Sequence, residues 1–154
     1  MKLSEALVLR KQLNQQIESL WQRFNANLHR AEDEPTTDDD PTVILTQIQD
    51  ALNKLEAVTI AINETNNITH VEVENEFEGT IMRAIAHRDA LNRQIKGLDA
   101  AIGSVSYRHR RTKEDIKMIL MIPVATLRDQ RDRLAAMYRR LDSALQAANW
   151  NTEV

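Results

Sequence analysis

The residues able to do chemistry in this chain are few and widely spaced. Its four histidines are His29, His70, His87 and His109, and it has no cysteine. A helical protein can hold a pair of metal ions when two helices supply Glu and two others carry Glu three residues before His. The residues three before these histidines are Ala26, Asn67, Ala84 and Ser106, so that motif is missing. His70 with Glu72, Glu74 and Glu76 would hold a divalent ion only adventitiously, and no metal or cofactor is expected. Without cysteine there is no thiolate metal site, thiol nucleophile or disulfide framework. Ser104, Ser106 and His109 lie close in sequence. A hydroxyl nucleophile also needs a base aligned on it and a third group to orient that base, and the sequence names neither. No catalytic or cofactor-binding residue is assigned, so a non-enzymatic protein is expected, with a small-molecule enzyme as the weakest of the alternatives.

Charge offers more than nucleophiles do. Between Arg108 and Lys117 stand five Lys or Arg, one His and two acids. Arg108, Arg110, Arg111, Lys113 and Lys117 make a candidate anion or partner patch, and binding of phosphate or nucleic acid is the alternative reading of function. The competing reading pairs this segment inside the protein with the oppositely charged run Glu72, Glu74, Glu76 and Glu78. Across adjacent strands such pairs contribute about 0.2–1 kcal/mol each. The net charge of −3 argues against general nucleic-acid binding.

Two arginines interrupt apolar stripes, Arg88 and Arg131. A buried unpaired charge costs several kcal/mol. Asp89 and Asp132 are only sequence neighbours, and adjacent residues do not face each other on a helix. Either a carboxylate from another helix or another chain meets each arginine, or the helix ends splay and both arginines snorkel to water. The third feature is the apolar run 116–122, whose Met118, Leu120 and Ile122 are candidate interface residues. Exposed, such a run is an aggregation hazard, so burial at the centre of the molecule or between copies is expected.

Four long helices should position these groups. The first is expected over 4–30, with Ser4 as N-cap and a stripe of Ala6, Leu9, Leu13, Ile17, Leu20, Phe24 and Leu28 at the 3-4 spacing of one helix face. The run AEDEPTTDDDP at 31–41 holds six acids and reads as a solvated loop. Asp40-Pro41 marks the second helix start, an N-cap followed by the residue tolerated at the first helical position. Its predicted seam is Leu45, Ile48, Leu52, Leu55, Thr59 and Ile62, coiled-coil-like in spacing, ending near Asn66-Asn67.

Residues 70–78 alternate Val71, Val73 and Phe77 with glutamates, the period of a short strand or hairpin. Thr80 should cap a third helix with stripe Ala84, Arg88, Leu91, Ile95, Leu98, Ile102 and Val105. Gly97 and Gly103 within it suggest close approach of a neighbour. The β-branched and Met-rich run 116–122 is expected to be a second extended segment. After Pro123 a fourth helix is expected over 124–148, with stripe Val124, Leu127, Arg131, Leu134, Tyr138, Leu141 and Leu145.

The bulk numbers agree. In 154 residues there are three Gly and three Pro, too few for the turns of an all-β fold or the Gly-rich loop of a nucleotide-binding α/β fold. The expected fold is mainly α: one domain over 1–154, built as an elongated antiparallel four-helix bundle of two long hairpins, with short β segments near 70–78 and 116–122. Each narrow stripe is unstable alone and must pack lengthwise, which favours a homo-oligomer, a dimer or larger. The start MKLSEALVLRKQL lacks the apolar run of a signal peptide, and no stretch is long enough to span a bilayer. A cytoplasmic location without membrane association is expected.

Several segments carry a resemblance: KLSEAL at 2–7, INETN at 62–66, AIAHRDAL at 84–91, TKEDIK at 112–117 and NWNTEV at 149–154. In this order they resemble a family of small bacterial helical proteins often called septicolysin. The resemblance covers nearly the whole chain and implies a cytoplasmic helical fold. It supplies no catalytic residue. The chain departs from it at Val154, where Leu is usual, and in the acidic run 72–78, which replaces a shorter turn. The name suggests a pore-forming cytolysin, but the sequence has no secretion signal, membrane-inserting hairpin or Trp cluster to match it.

Overall fold

A computed structural model describes residues 1–33, 40–105 and 119–154. It is mainly helical. In chain order the elements are α1 (Leu3–Ala26), α2 (Pro41–Ile68), β1 (His70–Val73), β2 (Phe77–Thr80), α3 (Ile81–Val105) and α4 (Val124–Asn151). The chain divides into two compact units. One comprises Met1–Ile68 with Asn149–Val154, the other Thr69–Ala148.

In the first unit α1 and α2 form a hairpin. Leu20 packs with Ile44, Ile48 and Ala51 in one apolar cluster, with Ile17 and Phe24 against it. The end of α1 therefore meets the start of α2, and the helices run antiparallel. Asp40 caps α2: its carboxylate accepts from the Thr42 N–H at 2.8 Å and its carbonyl from the Ile44 N–H at 3.0 Å. The Thr42 hydroxyl and N–H hold the Asp40 carboxyl below its ordinary pKa, as hydrogen bonds to a charged form do.

Three expectations change here. Lys2, not Ser4, precedes the first turn of α1, and its N–H donates to the Glu5 carboxylate at 2.8 Å. Ser4 falls inside the helix, and its Oγ is buried without a hydrogen-bond partner among the described residues. The helix also stops at Ala26 rather than near Arg30. The Asn27 side-chain amide takes the Arg23 carbonyl at 2.8 Å, and such local bonds compete with helix continuation.

The third change is the seam. On α2 the buried residues are Ile44, Ile48, Ala51, Val58, Ile62 and Thr65, while Leu45 and Leu52 are exposed. On α1 they are Leu3, Ala6, Leu13 and Leu20. Leu9 turns outward and Arg10 is half-buried. Both the expected and the observed stripe of α2 keep 3-4 spacing, and they share Ile48 and Ile62, with Leu55 half-buried between them. Packing chose the stripe one step round the helix.

The two chain ends pair within this unit. Lys2 bridges Glu153 in antiparallel fashion. The Leu3 N–H donates to the Thr152 carbonyl and the Val154 N–H to the Met1 carbonyl, both at 2.9 Å. The Lys2 ammonium reaches the Glu153 carboxylate at 3.3 Å. The NWNTEV segment thus has a structural task that its sequence did not reveal.

The second unit starts with a two-stranded antiparallel hairpin in the register His70↔Thr80, Val71↔Gly79, Glu72↔Glu78 and Val73↔Phe77. Its turn places Asn75 at φ 58°, a left-handed conformation that Asn tolerates. Thr80 ends β2 and its hydroxyl accepts from the Arg83 N–H at 3.4 Å, capping α3. A Cβ on Gly79 would stand 3.0 Å from the Phe77 ring and 3.4 Å from the Arg83 Cβ, so a side chain at this strand-to-helix junction would press the Phe77 ring aside. Gly97 and Gly103 are different: a Cβ at either would meet nothing within 4 Å. The close neighbour expected at those two positions is not there.

Along α3 and α4 the expected stripes are the ones turned inward. Ala84, Leu91, Leu141 and Leu145 are buried, as are Val71 and Ile81. Ile95, Leu98, Ile102, Val124, Leu127 and Leu134 are half-buried. The expected second β segment is corrected in its described part. Residues 119–122 form no strand, and residues 116–118 lie outside the described residues. With all four side chains exposed, 119–122 are also not at the centre of the molecule.

Candidate functional site

A constellation of polar side chains lies in the second unit, where the hairpin meets α3 and α4. Val73, Phe77, His87, Leu91, Met137 and Leu141 surround a void of only about 10 Å³. The ring of Phe77 stacks on His87, with centroids 5.5 Å apart and planes 16° from parallel. Beside this apolar floor Glu76 receives both arms of the Arg140 guanidinium, one through Nε at 2.9 Å. That fork holds the Glu76 carboxyl below its usual pKa and raises that of Arg140.

Two further arginines tie α3 to α4. Arg88 reaches Asp142 through Nη1 at 3.2 Å and Asp89 through Nη2 at 3.2 Å. Burial works against its charge, but the hydrogen bonds to Asp89 and Asp142 outweigh burial, and its pKa stands above the ordinary value. Arg131 donates to Asp132 and to Asp99, both at 2.9 Å, and these bonds raise its pKa as well. Each arginine therefore meets one carboxylate across the helix pair, Asp142 or Asp99. Each also meets its own sequence neighbour, which helix-face geometry had set aside. A guanidinium on a long flexible stem presents several donors and reaches along its own helix while it bridges.

These ion pairs link the hairpin to α4 and α3 to α4. Among the described residues no group of three or more His, Asp or Glu is placed to hold a metal ion. Ser104 gives its hydroxyl to the Ala101 carbonyl at 2.8 Å, so it is tied to its own helix. Ser106 and His109 lie outside the described residues, as do Arg108, Arg110, Arg111, Lys113, Lys117 and Met118. A shallow groove of about 410 Å³ runs between Glu72–Val73 and the α4 residues Ala136, Arg139, Arg140, Ser143 and Ala144. It is wide open and mixes an acid, two arginines, a serine and small apolar residues.

The other notable surfaces are apolar. Ile119, Leu120, Met121 and Ile122 are exposed in succession, between 51% and 88%. Leu120 and Ile122 were expected at an interface, whereas Ile119 and Met121 were not singled out. On the first unit Trp21, Leu28, Leu45 and Leu52 are also exposed. A stripe assigned from spacing alone had placed Leu28, Leu45 and Leu52 inside. No helix among the described residues is long and apolar enough to cross a membrane.

Comparison with known proteins agrees with this architecture and adds no activity. Over its whole length the chain is similar to a crystal structure of a functionally unknown conserved protein from Corynebacterium diphtheriae. The match has a TM-score of 0.81 and 26% identity, and it covers 100% of this chain and 98% of that one. No curated protein matches. The model of one family, described as a family of unknown function (DUF6847), matches residues 10–154. A match over nearly all the helical framework shows that the chain belongs to that family.

Proposed function

We propose that this protein is a non-enzymatic, self-associating helical protein of the cytoplasm. Its copies pack helix on helix with coiled-coil-like spacing. The observation that supports this is the exposed run Ile119–Ile122. Four large apolar side chains in succession leave a surface that water disfavours, at about 25 cal/mol per Å². Contiguous exposed apolar surface of this kind marks interaction sites. The arginine–carboxylate pairs along α3 and α4 supply rigidity and register rather than chemistry.

Size-exclusion chromatography with light scattering, read at 260 and 280 nm, tests the proposal. The expected result is a single mass at an integer multiple of 17.7 kDa with protein-like absorbance. Introducing Leu120→Glu with Ile122→Glu should lower that mass. A monomeric wild type, or a double variant of unchanged soluble mass, overturns the assignment of this run as an interface. A raised 260 nm signal that falls with salt would instead bring forward phosphate or nucleic-acid binding through Arg108, Arg110, Arg111, Lys113 and Lys117.

A further inference from the structure

The helix α2 carries more apolar surface than its hairpin partner covers. Its buried stripe includes Ile44 and Ala51. Leu45 and Leu52 each lie one residue further, about 100° round the helix, and are 42% and 38% exposed. On α1 the same step from buried Leu20 leads to Trp21, which is 41% exposed, and Leu28 beyond the helix end is 48% exposed. In two antiparallel helices that face each other, one step forward along either chain turns toward the same flank. The winding reverses its apparent sense when the helix direction reverses. Trp21, Leu45 and Leu52 therefore share one flank of the hairpin, near its closed end. Leu45 and Leu52 are spaced by seven residues, the repeat of a helix-on-helix seam.

We propose that this flank is a two-fold self-docking face, on which the same flank of a second copy packs, α2 of each lying along α1 of the other. The proposal extends the self-association reading but uses a surface in a different unit from Ile119–Ile122. Self-complementarity is built into the charges. Lys11 and Glu56 point to the same flank, further round α1 and α2, and both are exposed. Neither forms an ion pair among the described residues. In the hairpin Leu20 packs with Ile44, Ile48 and Ala51, and Ile48 is the middle one of those three α2 residues. Counting along antiparallel helices from there puts Lys11 about level with Glu56. A two-fold axis parallel to the helices keeps those levels, so Lys11 of each copy comes beside Glu56 of the other. The apolar patch is of order 300 Å² per copy, below the roughly 800 Å² per partner of a standard interface. The pair should thus dissociate on dilution.

Because the chain has no cysteine, paired cysteines can report this contact. Within one copy, positions 11 and 56 turn away from the shared seam. Their Cα atoms should be about 12 Å apart on helix geometry, too far for a disulfide. The variant Lys11→Cys with Glu56→Cys, oxidised at high concentration, should give a covalent dimer on a non-reducing gel. Lys11→Cys alone should not. Adding Leu45→Glu and Leu52→Glu, both at exposed positions, should abolish the cross-link while leaving the helical circular dichroism unchanged. Adding Leu120→Glu and Ile122→Glu should leave the cross-link in place, so failure at the other surface is read separately. Absence of a dimer, equal cross-linking by Lys11→Cys alone, or a cross-link that survives Leu45→Glu with Leu52→Glu overturns the proposal.

Discussion

The two helix pairs of this chain solve the same packing problem with opposite surpluses. The α1/α2 hairpin has more apolar side chains than one seam can use. Ile44 and Ile48 are buried while Leu45 and Leu52 are left outside. The α3/α4 pair has barely enough. Its buried residues lie toward the β-hairpin, at Ala84, Leu91, Leu141 and Leu145, while the half-buried stripes continue through Leu98, Ile102, Leu127 and Leu134. Arginine–carboxylate pairs share those stripes. An apolar surplus makes a helix face ambiguous, because two registers bury similar areas. A charged residue in the stripe removes the ambiguity, because only one register gives it a partner.

Core truncation should separate the regions most strongly. Ile62→Ala in the first unit and Leu141→Ala in the second, both almost fully buried, should each cost about 2–4 kcal/mol. The half-buried Ile102→Ala should cost clearly less. Leu52→Ala, whose residue the simple spacing rule places inside, should stay within about 0.5 kcal/mol. Urea unfolding of the four variants gives the order directly. If Leu52→Ala costs as much as Ile62→Ala, the observed seam is wrong.

The ion pairs come next. Removing Arg88, whose side chain is 29% exposed, should cost about 1 kcal/mol, the scale of a partly screened pair. Arg131→Ala should cost less, since Arg131 and both of its carboxylate partners are more exposed. Thermal melts of the two variants side by side would sharpen the contrast, and equal losses would break it. The glycines reverse the sign. Gly97→Ala and Gly103→Ala meet open space, so each should raise stability by about 0.5–1 kcal/mol. Gly79→Ala should lower it through contact with Phe77. A loss at Gly97 or Gly103 would show a neighbour packed against that face of α3.

The smallest expected effect is the pH dependence that the Glu76–Arg140 fork adds in the second unit. The Arg140 fork lowers the Glu76 pKa in the folded state. This contribution is present above the unfolded carboxylate pKa of about 4.3 and lost as pH falls through the lower folded value. Glu76→Gln should therefore flatten the acid limb of the stability curve and leave its neutral-pH shape unchanged. An acid limb identical to that of the wild type would show that the fork contributes nothing.

Much of this was legible in the sequence because it rests on local chemistry. Asp40-Pro41 starts α2, and Thr80 caps α3. The alternation of Val71 and Val73 with glutamates makes a strand, and the scarcity of Gly and Pro accompanies a mainly helical chain. What misled was also local. Ser4 has the chemistry of a cap but falls inside the helix, because the Met1–Leu3 backbone pairs with Thr152–Val154, a contact spanning the whole chain. Gly97 and Gly103 looked like packing sites but face open space.

The sequence by itself determined that the chain is helical, roughly where each helix runs, and which residues of α3 and α4 turn inward. Helix periodicity, capping and the cost of an unpaired arginine act over a few residues and leave a single answer there. Only the tertiary structure decided which of two equivalent stripes on α2 is buried, that Arg10 rather than Leu9 lies toward the α1 seam, which carboxylates meet Arg88 and Arg131, and that the chain ends pair. Each of those choices turns on the side chains of a distant segment. Spacing along one helix constrains its own face but carries no information about what lies opposite.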